Sequence, residues 1–327
     1  MARARPARGD TLSAPGAGLE AAADALEAAV PGAVSRSVPA AGLGTYRLGG
    51  PVAVLVRVAD ADALARVAAV LGAHPVPRVV LGRGSNLLVA DTGFPGVGLL
   101  LEGEFEQVDV SADRTEVRAG GAVALPVLAR RCAAVGAGGL EFFVGIPGSV
   151  GGAVRMNAGG HGRETRDVLL EARVLDLADP AAGIRPKAVG DLGLRYRGSA
   201  IGPDDIVVAA AFRAEPEAPE RCAARIDEVV RWRREHQPGG ANGGSVFRNP
   251  PGDAAGRLID ASGCKGLRVG GAVVSGKHAN FFQAEPGATA DDVFELVRRV
   301  RARVHDATGV LLEPELVMLG FPGDPAS

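Results

Sequence analysis

Apolar and polar positions along the chain follow two different rhythms. The stretch PVAVLVRVAD (51–60) is apolar and β-branched and predicts a strand, and the ADALARVAAVLGAH that follows has helical spacing with a glycine stop. PRVVLGRGSNLLVAD predicts strand, glycine-rich turn, strand, and ALPVLARRCAAVGAGG predicts a helix running out into glycines. VLLEARVLDL and DIVVAAAFRAEP predict two strands flanking a loop that contains LRYRGS. Upstream, LEAAADALEAAV (Leu19–Val30) predicts a short helix from its alanine and leucine content.

The character changes near Pro216. PERCAARIDEVVRWRREHQP predicts a long, charged amphipathic helix ended by Pro238. ADDVFELVRRVRARVHDATG predicts another, with Val293, Leu296, Val297, Val300 and Val304 along one face, Thr289 as its cap and Gly309 as its stop. VLLEPELVMLG predicts a closing strand. Strands and helices mix without regular βαβ alternation, which predicts an α+β fold rather than a doubly wound sheet.

Composition narrows the function classes. The 327 residues, 47% apolar and 23% charged, can bury the cores of two or three domains. A net charge of −2 gives no reason to expect a nucleic-acid or anionic-membrane partner. Cys132, Cys222 and Cys264 form no CxxC, and the five histidines include no HxxxH or HxH pair, so a metal centre is not expected. No apolar run approaches the ~20 residues of a membrane helix. The N-terminal MARARPARGDTLSAPGAG lacks an apolar stretch after its arginines. A disordered tail over 1–18 and a cytoplasmic location are the expectation.

The 47 glycines are about twice the usual share of roughly 7%, and they cluster. GAVVSGKH (271–278) fails as a phosphate-binding loop because His278 stands where the hydroxyl should be and a strand-like ANFFQAE follows. No GxGxxG and no GxSxG occurs. Two glycine-rich turns remain: Gly82-Arg83-Gly84-Ser85-Asn86, and the run Gly145–Ala153 with Pro147, Gly148, Ser149, Gly151 and Gly152. Such turns expose backbone N–H groups and can cradle a pyrophosphate, which points to a dinucleotide held outside a Rossmann fold. In the C-terminal half, GSVFRNP presents Ser245 beside glycines with Asn249 four positions on. Arg197 in YRGS, and Glu313 and Glu315 in LEPE, complete a possible constellation. A dinucleotide with Ser, Arg and Glu suggests redox work with proton delivery, and names no substrate.

The ordered segments TYRLGGPVAVLV, LGRGSNLLVADTGFPGV, GIPGSVGGAVRMNAGGHGRE, LRYRGS, GSVFRNPPGDAAGRLIDASGCKG, GGAVVSGKHANFF and LEPELVMLG closely resemble the UDP-N-acetylenolpyruvoylglucosamine reductase (MurB) family over about residues 40–320. The resemblance implies an FAD-binding domain of the vanillyl-alcohol oxidase (PCMH) type over 19–216, in two subdomains. A smaller α+β substrate-binding domain would occupy 217–327, its final strand 310–320 bringing the catalytic glutamate to the site. It implies non-covalent FAD, NADPH as co-substrate, and reduction of the enolpyruvyl ether of UDP-N-acetylglucosamine to UDP-N-acetylmuramate in peptidoglycan precursor synthesis. The family's catalytic serine, arginine and glutamate fall on Ser245, Arg197 and Glu315, and its substrate contacts on Tyr196 and Asn249. The cofactor would be held by Gly82 to Asn86, by Pro147, Gly148, Ser149, Gly151, Gly152 and Ala153, and by Asn157. The short spacing from Arg197 to Ser245 resembles the type II branch, and a monomer is expected. His161 stands where the family commonly has tyrosine, and Arg231, Arg233 and Arg234 are open candidates for the nucleotide phosphates. A non-catalytic UDP-sugar-binding relative and a carbohydrate-oxidising flavoenzyme remain the rival readings.

Overall fold

The structure, a computed structural model, describes residues 15–322. Residues 1–14 of the expected tail lie outside the described residues, whereas 15–18 open the first helix, Pro15–Ala29. The first layer is a four-stranded sheet in the order Val34–Pro39, Pro51–Val58, Phe94–Leu101, Arg78–Leu81, antiparallel at its first pair and parallel beyond it. The helix Ala61–Ala73 starts at Asp60, whose side chain accepts from Ala63 N at 2.7 Å, a standard N-cap. Val54, Val56, Val97 and Leu99 of the sheet bury against Leu26, Leu64, Val67 and Leu71 of the two helices.

A five-stranded antiparallel sheet follows, ordered Ile184–Ala188, Leu169–Asp176, Asp205–Arg213, Glu116–Gly120, Val108–Val110. Its core takes Leu125, Leu128 and Cys132 from the helix Leu125–Ala134. The long charged helix, Pro219–His236, packs here as well, burying Cys222 and Ile226 in the same cluster. The change of character at Pro216 therefore marks the start of a helix that returns to the first part of the chain. A charged outer face reports solvent exposure and leaves open which neighbour receives the apolar stripe.

The C-terminal part has an antiparallel sheet ordered Ala241–Ser245, Phe281–Ala284, Ala272–Val274, Arg268–Val269. The helix Ala290–Thr308 buries Val293, Leu296, Val297, Val300 and Val304 beside it; Thr289 and Asp292 form a capping box and Gly309 ends it in the left-handed conformation. The GAVVSGKH segment is strand, turn, strand, with no helix after the turn.

Two local expectations change. The second glycine-rich turn runs into a seven-residue helix, Val150–Met156, capped by Ser149; its two glycines lower helix propensity enough to hide it. The closing strand is confined to Val317–Leu319, which pairs in parallel with Leu87–Val89. Pro314 has no N–H for a ladder, so residues 313–316 run beside Val246–Arg248 through separate hydrogen bonds, Arg248 N to Glu313 O at 2.9 Å and Glu315 N to Val246 O at 2.8 Å.

Candidate active site

The two glycine turns face each other. A Cβ on Gly82 would stand 2.6 Å from Ser149 Oγ, and one on Gly148 3.8 Å from Ser85 Oγ. Gly84 has φ +60° and its missing Cβ would enter the Leu43 carbonyl, so only glycine fits there. Gly82, Arg83, Ser149, Gly151 and Gly152 line an open cleft of about 210 Å³, walled by Leu81, Leu101 and Val207.

Among the described residues, no protein group accepts the backbone N–H of Arg83, Gly84, Ser85 or Asn86. Arg155, which sequence reasoning missed, also faces the cleft, and burial lowers its pKa. A glycine turn with free amides, Arg83 at the cleft among them, the Arg155 guanidinium and an apolar wall fit the pyrophosphate and ring of FAD.

Two expected cofactor residues have buried side chains. Ala153 is a core side chain. Asn157 is fully buried with φ +41°; its Nδ2 donates to Glu164 Oε2 (2.9 Å) and Arg195 O (3.1 Å), and its Oδ1 accepts from Arg166 N (2.9 Å). With both amide ends committed, Asn157 holds the loop that leads to Arg197.

That loop carries the catalytic candidates' first member. Arg197 has φ +51°, a strained conformation of the kind that clusters at functional sites. Its Nε reaches Glu315 Oε1 at 3.1 Å, its Nη2 donates to Gly159 O at 3.3 Å, and its guanidinium lies 4.9 Å from the Tyr196 ring centroid. Glu315 is the enclosed member of the LEPE pair, its side chain 15% exposed against 75% for Glu313. Burial raises the Glu315 carboxyl above its ordinary pKa, while Arg197 and Arg248 oppose that rise. Arg248 also pairs loosely with Glu313 at 3.7 Å, and sequence reasoning had passed over it.

Ser245 ends its strand opposite Phe281, after a register irregularity that begins at Asn242 and passes Gly244 at φ +75°. No described residue hydrogen-bonds its hydroxyl. The next residue, Val246, accepts the Glu315 amide, so Ser245 and Glu315 lie on adjoining segments. The cofactor turn is tied to both: Asn86 Nδ2 donates to Glu315 O at 2.9 Å, and Thr45 bridges by donating its N–H to Gly84 O (3.1 Å) and its hydroxyl to Asn242 O (2.6 Å). Tyr196 and Asn249 also meet, the Asn249 N–H donating to the Tyr196 hydroxyl at 3.4 Å. Arg233 is bonded to Gln237 Oε1 at 2.8 Å, and the Arg234 carbonyl accepts from the Lys277 ammonium. His161 packs edge-on against Trp232, ring centroids 5.0 Å apart.

Comparison with known proteins identifies the family. The profile of the UDP-N-acetylenolpyruvoylglucosamine reductase C-terminal domain matches residues 236–319, and that of an FAD binding domain matches 52–180. A UDP-N-acetylenolpyruvoylglucosamine reductase of Paramagnetospirillum magneticum is 43% identical over 296 residues, 90% of this chain and 94% of that protein. One from Methylorubrum extorquens is 44% identical over 309 residues, 93% of this chain and 98% of its own. The crystal structure of UDP-N-acetylenolpyruvylglucosamine reductase (MurB) from Thermus caldophilus superimposes with a TM-score of 0.76 at 38% identity, covering 88% of this chain and 98% of that one.

Proposed function

This chain belongs to the UDP-N-acetylenolpyruvoylglucosamine reductase family, and from that premise we propose how its residues divide the reaction. The enzyme is a flavin-dependent oxidoreductase that reduces UDP-N-acetylglucosamine enolpyruvate to UDP-N-acetylmuramate, with FAD as cofactor and NADPH as co-substrate. When bound, FAD would supply the hydride-transfer chemistry between NADPH and the terminal vinyl carbon. Gly82 to Asn86 and Pro147 to Gly152 would hold it through backbone N–H groups, with Arg155 near the phosphates.

Three side chains do the rest. Arg197 binds the enolpyruvyl carboxylate and stabilises the negative charge that develops there. Glu315, whose neutral form burial favours, donates a hydrogen bond to the same group when protonated. Ser245 delivers the hydroxyl proton to the adjacent carbon and is reprotonated from solvent. Tyr196 and Asn249 line the substrate side. The observation that carries this reading is the Arg197–Glu315 contact on the segment beside the free Ser245 hydroxyl.

The spacing of 48 positions from Arg197 to Ser245 supports the type II branch. The profile boundary at 236 and the packing of Pro219–His236 on the first part support a domain division at Pro238–Gly240. No helix among the described residues is long and apolar enough to cross a membrane, and the net charge of −2 offers nothing to nucleic acid; a cytoplasmic location is consistent with both.

The test is the flavin band of the purified, FAD-loaded protein. NADPH should bleach it, and the enolpyruvyl sugar should restore it far faster than oxygen alone. Restoration by oxygen with no response to the sugar would overturn the assignment of roles.

A further inference from the structure

Asn280 is 3% exposed and makes three hydrogen bonds to two residues next to Ser245. Its carbonyl accepts from Val246 N at 2.9 Å, its Oδ1 accepts from Phe247 N at 3.0 Å, and its Nδ2 donates to Phe247 O at 2.8 Å. The side-chain amide thus replaces a strand neighbour for Phe247, extending the ladder past the Ser245–Phe281 pair where the chain turns away. On the opposite side, Val246 O accepts from Glu315 N at 2.8 Å and Leu316 N at 3.3 Å. Val246 and Phe247 are therefore clasped between Asn280 and the segment of Glu315, with the Ser245 hydroxyl one residue away.

We propose that Asn280 is a positioning residue for proton delivery, fixing Ser245 relative to Glu315 through its paired hydrogen bonds to Phe247. It touches neither substrate nor cofactor; it acts through the backbone that carries Ser245. An amide supplies both the donor and the acceptor that Phe247 requires, whereas an ionised carboxylate offers acceptors alone. A displacement of about 1 Å in such a group can cost ~10²-fold in rate.

The proposal rests on Ser245 acting as proton donor, and the experiment separates the two. Asn280→Asp keeps the shape and the acceptor for Phe247 N, but its ionised form sets an oxygen against Phe247 O. When protonated it is a donor again, and burial favours that neutral form. In the FAD-loaded variant at pH 8, bleaching by NADPH should stay within about twofold of wild type, while reoxidation by the enolpyruvyl sugar slows by ~10²-fold. Reoxidation, normalised to wild type at each pH, should recover at least about tenfold toward pH 5.5 as the donor returns.

Normalisation cancels the groups that wild type shares: His278, whose Nδ1 accepts from Asn280 N at 3.3 Å and whose pKa burial lowers, and Glu315. Asn280→Gln carries the same groups on a longer arm and should slow reoxidation without pH recovery. Parallel slowing of both half-reactions in these variants, absence of acid recovery in Asn280→Asp, or loss of folded FAD-loaded protein in both would overturn the positioning role. Ser245→Ala, assayed alongside, reports on the Ser245 reading independently.

Discussion

Arg197 Nε lies 3.1 Å from Glu315 Oε1, joining a strained turn of the cofactor-binding part to a residue close to the chain's end. Both partners are held from behind, Arg197 by Gly159 O and the Tyr196 ring, Glu315 by Val246 O and the Asn86 amide. Contact with a guanidinium would ordinarily hold a carboxyl below its usual pKa, yet Glu315 is raised, because desolvation outweighs Arg197 and Arg248 together. A buried pair of this kind is weak evidence for stability. In the proposed mechanism it holds a cation beside a carboxyl that burial biases toward its neutral form.

The two glutamates of LEPE should therefore separate sharply. Glu315→Gln removes the buried partner of Arg197 and should reduce turnover by ~10²-fold. Glu313→Gln alters only an exposed carboxylate 3.7 Å from Arg248 and should stay within about threefold. Steady-state kinetics of the two variants check this, and the opposite ranking would move the catalytic acid to Glu313.

The same substitution has a signature in stability. Burial raises the Glu315 pKa in the folded protein, so the folded state binds this proton more tightly than the unfolded chain does. Wild-type stability then declines as pH rises from the ordinary carboxylate value up through the raised one, and levels off above it. The neutral amide of the Glu315→Gln variant carries no such penalty. Its melting temperature should exceed wild type by about 2 °C at pH 7.5, with the gap closing toward pH 4. A variant less stable than wild type at pH 7.5, with its deficit vanishing at pH 4, would mean that the two arginines stabilise the ionised carboxylate.

Gly84 should prove irreplaceable for cofactor retention. Alanine there would need φ +60° and would drive a methyl into the Leu43 carbonyl, at a cost of about 1–3 kcal/mol. Gly84→Ala should purify with less FAD and melt several degrees lower, whereas Gly190→Ala, at an exposed position with open space, should match wild type. FAD content by absorbance after denaturation measures the difference.

What could be read from sequence followed physical locality. The stripe Val293–Val304, with Thr289 and Gly309 bounding it, is a periodic pattern with explicit end signals, and the helix forms there. Gly82–Asn86 was legible as a turn because continuous apolar runs flank it. The clustering of Arg197, Ser245 and Glu315 came through family resemblance, since no local pattern links residues so far apart. Sequence periodicity could not reveal which core receives Cys222 and Ile226, that Asn157 turns its amide inward, or that Pro314 breaks the last strand before Glu315. Thr45, Arg248 and Asn280 were missed for the same reason: each acts through long-range side-chain contacts that leave no periodic trace.

Ser245→Ala tests the centre of the mechanism by splitting the two half-reactions. The Ser245 hydroxyl has no described partner, and Gly244 before it has open space beside its backbone. Removing one oxygen there should leave the fold and the cofactor cleft untouched. A hydroxyl that only gives a proton to the substrate carbon has no part in the reduction by NADPH, so bleaching of the flavin band should keep its wild-type rate. Reoxidation by the enolpyruvyl sugar should slow by the ~10²–10⁴-fold typical of a lost general acid. Stopped-flow traces with each substrate in turn give both rates on one preparation. Equal slowing of the two would show that Ser245 supports the site as a whole, and proton delivery would then have to come from another group beside Arg197, with Glu315 the first to examine.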